Sequence, residues 1–166
     1  VRREELVRMH DTAHQVMEQV RALSETLHPR VLDDLGLAPA LQHLARKTTE
    51  RGTLTTADTM AAPATIPRHL ASVLYDVARE AVTNAVMHAS PGHVDVLLTT
   101  GAGRAQLAVQ DDGCGMDVSE AERSGFGLFA MRERIALVNG TFELQSRPGD
   151  GTRVVATVAL TDEDGQ

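Results

Sequence analysis

The chain has 166 residues, 42% of them hydrophobic, with a formal net charge of −7. That length fits one domain with a short appendage, and the apolar share is enough for a packed core. The acidic balance, with no stripe of Lys and Arg, argues against general nucleic-acid binding, and no run of about 18 apolar residues is present to span a membrane. The single Cys excludes an internal disulfide and suits a reducing, cytoplasmic compartment. A chain opening on Val1 reads as a piece of something longer, so a membrane anchor elsewhere in the full protein is compatible with it.

Leu6, Met9, Ala13, Val16, Val20, Leu23 and Leu27 alternate three and four apart, the a/d seam of a coiled coil over about three heptads. Residues 1–28 therefore predict one helix, the second, of a dimerisation bundle; the alternative is a surface helix packed on its own domain, whose stripe is normally wider. Pro29 ends it, and 29–38 reads as a linker turning at Gly36. A helix is expected from Pro39 to about Arg51, stopped by Gly52. The Thr-rich stretch 53–60 is a candidate strand, and 61–67 a loop. A long helix runs from His69 to Ala89, with Val73, Leu74, Val77, Ala81, Val82 and Ala85 as its apolar face. Residues 93–110 predict a hairpin around Gly101-Ala102-Gly103, and 116–125 a polar loop. A helix from about Gly127 to Val138 follows, then strands carrying Phe142 and Leu144 and, last, Val154 to Leu160. Residues 161–166 are a polar tail.

Four pieces in the second half carry chemistry. Glu80, Asn84 and His88 are spaced i, i+4, i+8 and share one stripe of an otherwise apolar helix. Such groups are costly to bury without partners, and a metal–phosphate ligand would supply them. Asn84 offers a neutral oxygen suited to Mg²⁺, and Glu80 a carboxylate for orienting or deprotonating an attacking group. The plain alternative is an exposed polar face with His88 as a C-terminal cation. Asp111-Asp112-Gly113-Cys114-Gly115-Met116 follows a strand; Asp111 suits an exocyclic amine such as that of adenine, though Asp and Gly also make ordinary turns. Gly125-Phe126-Gly127-Leu128 opens a helix whose first amides are free for phosphate. It is neither a Walker A loop nor a dinucleotide fingerprint. Thr152, after Gly151, begins the last strand with a hydroxyl.

In this order the pieces resemble the ATP-binding catalytic domain of bacterial sensor histidine kinases, within the wider superfamily of DNA gyrase, Hsp90 and MutL. Among those kinases the chain looks most like the subfamily that signals to helix-turn-helix regulators of the nitrate-sensor type. The resemblance covers about residues 20–160. It rests also on the Leu27-His28-Pro29 string, Leu35-Gly36-Leu37, and the specific Gly127-Leu128-Phe129-Ala130-Met131-Arg132-Glu133-Arg134 helix. It implies an α/β two-layer sandwich over 39–160, a mixed sheet covered by helices on one face. The implied ligands are ATP and Mg²⁺, with Asn84 on the metal and Glu80 assisting transfer. Asp111 would bind the adenine amino group, with Thr152 supporting it through water. Gly113, Gly115, Met116, Gly125, Gly127 and Leu128 would shape the pocket, and His88 would lie beside the nucleotide. The implied function donates the ATP γ-phosphate to a histidine outside this fragment for relay to a response regulator, from a homodimer formed through 1–28. Alternatives in other classes are an anti-sigma-factor-type serine kinase and a degenerate nucleotide-binding scaffold.

Three positions depart from the family pattern. Met87 stands where a Lys is usual, removing one phosphate-side charge. Cys114 occupies a variable position. The phosphoacceptor histidine, expected in an Arg-x-x-His-Asp-type box upstream, is not matched by His10, which lies only 18 positions before His28 and reads as a surface residue.

Overall fold

The computed structural model describes residues 30–59, 62, 64–119, 121 and 126–160. The heptad segment 1–28 with His10, the glycine Gly125 and the tail 161–166 lie outside the described residues.

The stretch read as a linker is helical. Helix α1 spans Arg30–Leu35 and α2 spans Leu37–Glu50, with Gly36 between them at φ 87°. The reason is burial: Leu32 and Leu37 enter the core at 3% and 4% exposure, so this segment is held by the domain. Pro39 sits inside the first turn of α2, where the amide it lacks would have no helical partner. Strand β1, Leu54–Asp58, falls where the Thr-rich stretch suggested. Helix α3, Arg68–Asn84, buries Leu70, Leu74, Val77, Ala81 and Val82 at helical spacing. Its expected last turn differs: Ala85–Ala89 widens into a π-helical turn, closed by Ser90 at φ 47°.

The predicted hairpin is strands β2, His93–Gly101, and β3, Arg104–Asp111. Helix α4 spans Phe126–Leu137, β4 spans Thr141–Ser146 and β5 spans Thr152–Ala159. The five strands run in the order β1-β2-β3-β5-β4. Only β1 and β2 are parallel, joined by the α3 crossover that a parallel pair requires. The other pairs are antiparallel.

Register explains where the core stops. Leu98, Leu107, Ala156 and Phe142 form one transverse row across β2, β3, β5 and β4. Val96, Val109, Val154 and Leu144 form the next, two residues along each strand and so on the same face. These rows meet the helices in one apolar cluster. The opposite face is largely polar, with Asp95, Gln106, Gln110 and Arg153 exposed. The result is the expected mixed sheet covered by helices on one face.

Leu74 is fully buried beneath the sheet's inner face. Leu74→Ala is predicted to destabilise the domain by about 2–5 kcal/mol, read from the midpoint of urea unfolding at unchanged slope. A loss under about 1 kcal/mol would contradict this placement of the core.

Candidate functional site

One further step along the same strands gives a third row: Val94, Asp111, Thr152 and Ser146. Alternation therefore points Asp111 and Thr152 to the inner face, one row beyond the last fully apolar one. Asp111 is 6% exposed and Thr152 9%. A carboxylate there must be given hydrogen bonds or lose its charge. The Asp111 Oδ1 accepts the Gly113 amide at 2.8 Å, and the Thr152 backbone amide lies near enough to favour the charged carboxylate. Burial nevertheless raises its pKa above the ordinary value, the two amides opposing that rise and neighbouring Asp112 adding to it.

A cavity of about 570 Å³ opens above this row. Its floor is apolar, from Val109, Val154 and Met131, and its wall along α3 carries the small Ala81 and Ala85. Glu80, Asn84 and His88 all line it, as their spacing predicted. His88 lies within the π-helical turn, so the last member of the stripe sits on a wider turn than an α-helix gives. At the other side Gly127 and Leu128, in the first turn of α4, complete the wall. Gly127 lies hard against the helix: an added Cβ would overlap Glu80 Oε1 and stand 3.4 Å from Asn84 Nδ2.

The Asp111–Met116 segment binds the pieces together. The Cys114 amide donates to the Ala89 carbonyl at 2.9 Å, satisfying an acceptor at the end of the π-helical turn. Asp112 Oδ1 accepts the His93 amide at 2.8 Å, and that bond holds its carboxyl below the ordinary range. Gly115 has φ +63°, and a side chain there would run into the Arg147 carbonyl. The Met116 amide donates to Ser146 Oγ at 2.9 Å. Beyond it, the expected polar loop begins as a helical turn, with the Ala121 amide bonded to the Asp117 carbonyl at 3.0 Å and the Asp117 side chain capping Ser119.

Of the residues singled out in the sequence, Glu80, Asn84, His88, Asp111, Gly115, Met116, Gly127, Leu128 and Thr152 line the one cavity. Gly113 does not; it backs onto Ala89 and serves Asp111 through its amide. Met87 is 52% exposed and is not on the cavity wall. Cys114 is exposed, its thiol 3.6 Å from the His88 carbonyl. The sequence reading missed Ser146, whose hydroxyl touches Met116, Gly151 and Thr152. Its signal was available: Phe142, Leu144 and Ser146 share one face of β4, so Ser146 continues the apolar pair toward the Asp111 row. Among the described residues, no group of three or more His, Cys, Asp or Glu side chains is arranged to hold a metal ion by itself.

Fold and cavity together define a ligand-binding two-layer α/β sandwich. Residues 70–162 match the model of the histidine kinase-, DNA gyrase B- and HSP90-like ATPases, and the chain belongs to that family. It is 38% identical over 144 residues to the sensor histidine kinase MctS of Rhizobium johnstonii, covering 84% of this chain and 31% of that protein. It is 31% identical over 140 residues to the nitrate/nitrite sensor protein NarX of Escherichia coli K12, covering 84% and 23%. The chain thus spans less than half the length of these relatives and corresponds to the ATP-binding catalytic module of sensor histidine kinases. The nitrate sensor is one of several sensor types among them. The fold is shared with the ATP binding domain of PrrB from Mycobacterium tuberculosis, at a TM-score of 0.57 and 20% identity over 75% of this chain and 94% of that one. No helix among the described residues is long and apolar enough to cross a membrane.

Adjacent carboxyls with opposite shifts give a direct check. Because folding raises the Asp111 pKa, its share of stability is fully present at pH below the unfolded carboxyl value and is lost as pH rises through the folded one. Asp112 shifts downward, so its share is present above the unfolded value and lost as pH falls through the folded one. Side-chain carboxyl ¹³C titration should show Asp111 with the higher midpoint of the two. The reverse order would contradict the burial of Asp111 at this site.

Proposed function

We propose that this chain binds Mg²⁺–ATP in the cavity and presents the γ-phosphoryl group to a histidine that is not one of this chain's own. The single observation behind the reading is the division of the cavity's polar groups. Asp111 and Thr152 stand at the sheet end, and Glu80 and Asn84 stand under the first turn of α4. A purine amine fits the first end, where a buried carboxylate accepts hydrogen bonds. Phosphates fit the second, where a helix N-terminus favours an anion. His88 lies beside the nucleotide, with Gly115, Met116 and Leu128 shaping the walls.

The donor set suits Mg²⁺ only as part of a nucleotide complex. Glu80 and Asn84 supply too few ligands for a metal cage, whereas Mg²⁺ commonly takes one or two protein oxygens, water and substrate phosphates. Asn84 is assigned as the metal ligand. When bound, the ion would neutralise charge on the phosphates during transfer. Glu80, one turn away, is assigned to orient the attacking imidazole and to take up its proton. Little covalent chemistry falls to the domain itself, whose part is positioning and electrostatics.

The wider assignment follows the relatives. The whole protein would act as a protein-histidine kinase, dimeric through residues 1–28, passing phosphate to a response regulator with helix-turn-helix output. Met87, exposed and off the cavity wall, leaves the phosphate end without the usual lysine. Metal and helix amides then carry more of the phosphate binding.

Isothermal titration with a non-hydrolysable ATP analogue tests this. With Mg²⁺ the chain should bind, and Asn84→Ala should bind about tenfold or more weakly, the scale of damage to a metal site. With the metal chelated, the two should differ far less. Equal affinity of both proteins in the presence of Mg²⁺ would overturn the metal assignment.

A further inference from the structure

Ser146 has one hydroxyl proton and two lone pairs, and the structure accounts for all three. Its oxygen is 2.7 Å from the Gly151 carbonyl, a contact in which only the serine can donate. It is 2.9 Å from the Met116 amide, a contact in which the serine accepts. It is also 3.0 Å from Thr152 Oγ1. With its only proton committed to Gly151, Ser146 must accept in this third contact, and Thr152 must donate. The Thr152 proton is then turned toward β4, away from the Asp111 carboxylate and the cavity both residues line.

We propose that Ser146 is a specificity-determining residue that holds the Thr152 hydroxyl as an acceptor and so selects a 6-amino over a 6-oxo purine. Left free, a threonine hydroxyl rotates to suit either kind of ligand edge. Held by Ser146, it offers lone pairs alone, beside a carboxylate that also only accepts. An edge with two N–H donors, the adenine amine, satisfies such a pair, directly or through a water. A 6-oxo edge sets a carbonyl oxygen against it and offers only the single N1–H, so at least one buried acceptor is left without a donor, a mismatch that costs more than a missing contact. Ser146 reaches the ligand only through Thr152, so its effect is on discrimination. The same hydroxyl tethers the Met116 amide, which ties the turn before residue 117 to the recognition row.

The inference rests on the ATP reading above, and the experiment separates the two. Affinities for ATP and for inosine triphosphate, which differ at the 6-position and N1, are measured by calorimetry at fixed Mg²⁺. The proteins are the natural chain, Ser146→Ala, Ser146→Thr and Thr152→Val, each checked for folding by circular dichroism. The natural chain should prefer ATP. Ser146→Ala frees the Thr152 hydroxyl and should reduce the preference about tenfold, the worth of one well-placed hydrogen bond. Ser146→Thr, which keeps a hydroxyl, should retain it. Thr152→Val should lower it as Ser146→Ala does. An unchanged preference in folded Ser146→Ala overturns the proposal, as does an unchanged preference in Thr152→Val should Ser146→Ala fail to fold. A natural chain that binds neither nucleotide overturns the ATP reading itself.

Discussion

A single carboxylate buried where the apolar sheet runs out organises this domain. Asp111 points inward because period-two alternation carries it there from Leu107 and Val109. Leaving an ionised group in such a place without partners would cost several kcal/mol or more. The surroundings meet the demand with backbone, through the Gly113 amide bonded to the carboxylate and the Thr152 amide near it. Those amides fix the conformation of the Asp-Asp-Gly-Cys-Gly turn and the meeting of β3 with β5. Gly151, at φ +70° and packed against the Asp111 carbonyl, is part of the same fit. Burial still raises the carboxyl's pKa despite these partners.

The other wall is governed by the end of α3. Its change into a π-helical turn sets Ala89 where the Cys114 amide reaches its carbonyl. The glycine-rich turn thereby caps the helix as well as serving Asp111. Such double use ties ligand geometry to folding stability: the turn cannot shift without freeing the helix end. On the far side, contact of Gly127 with Glu80 and Asn84 sets how closely the first turn of α4 approaches α3. Three elements distant in sequence thus meet over one cavity, held by backbone hydrogen bonds and by positions too tight for a Cβ.

Much of this was legible in the chain. The stripe Glu80, Asn84, His88 followed from helical spacing alone, and the strands from alternation, because both periods are set by local geometry. The order of motifs identified the family. Other features were hidden because they depend on tertiary contact. Nothing local distinguishes a linker from α1, which is helical because Leu32 is buried against α2 and α3. The π-helical turn has no composition signature in Ala85–Ala89; it is seen only with Cys114 bonded to its end. Gly113 looked like a pocket residue and proved to be a support behind one. Ser146 escaped notice because its meaning comes from the β4–β5 register, which sets it opposite Thr152.

We propose that ligand recognition is centred on the Asp111 row, and amide NMR tests this directly. The Gly113 amide donates to the carboxylate, and the Thr152 amide lies beside it. Titrating ¹⁵N-labelled protein with Mg²⁺–ATP should shift these two resonances strongly, while those of the Gly101–Gly103 turn at the far end of the sheet stay in place. Adenosine alone should move the same two amides in the same direction, since it carries the base without the phosphates. Shifts confined to the first turn of α4, with Gly113 and Thr152 unmoved, would contradict it.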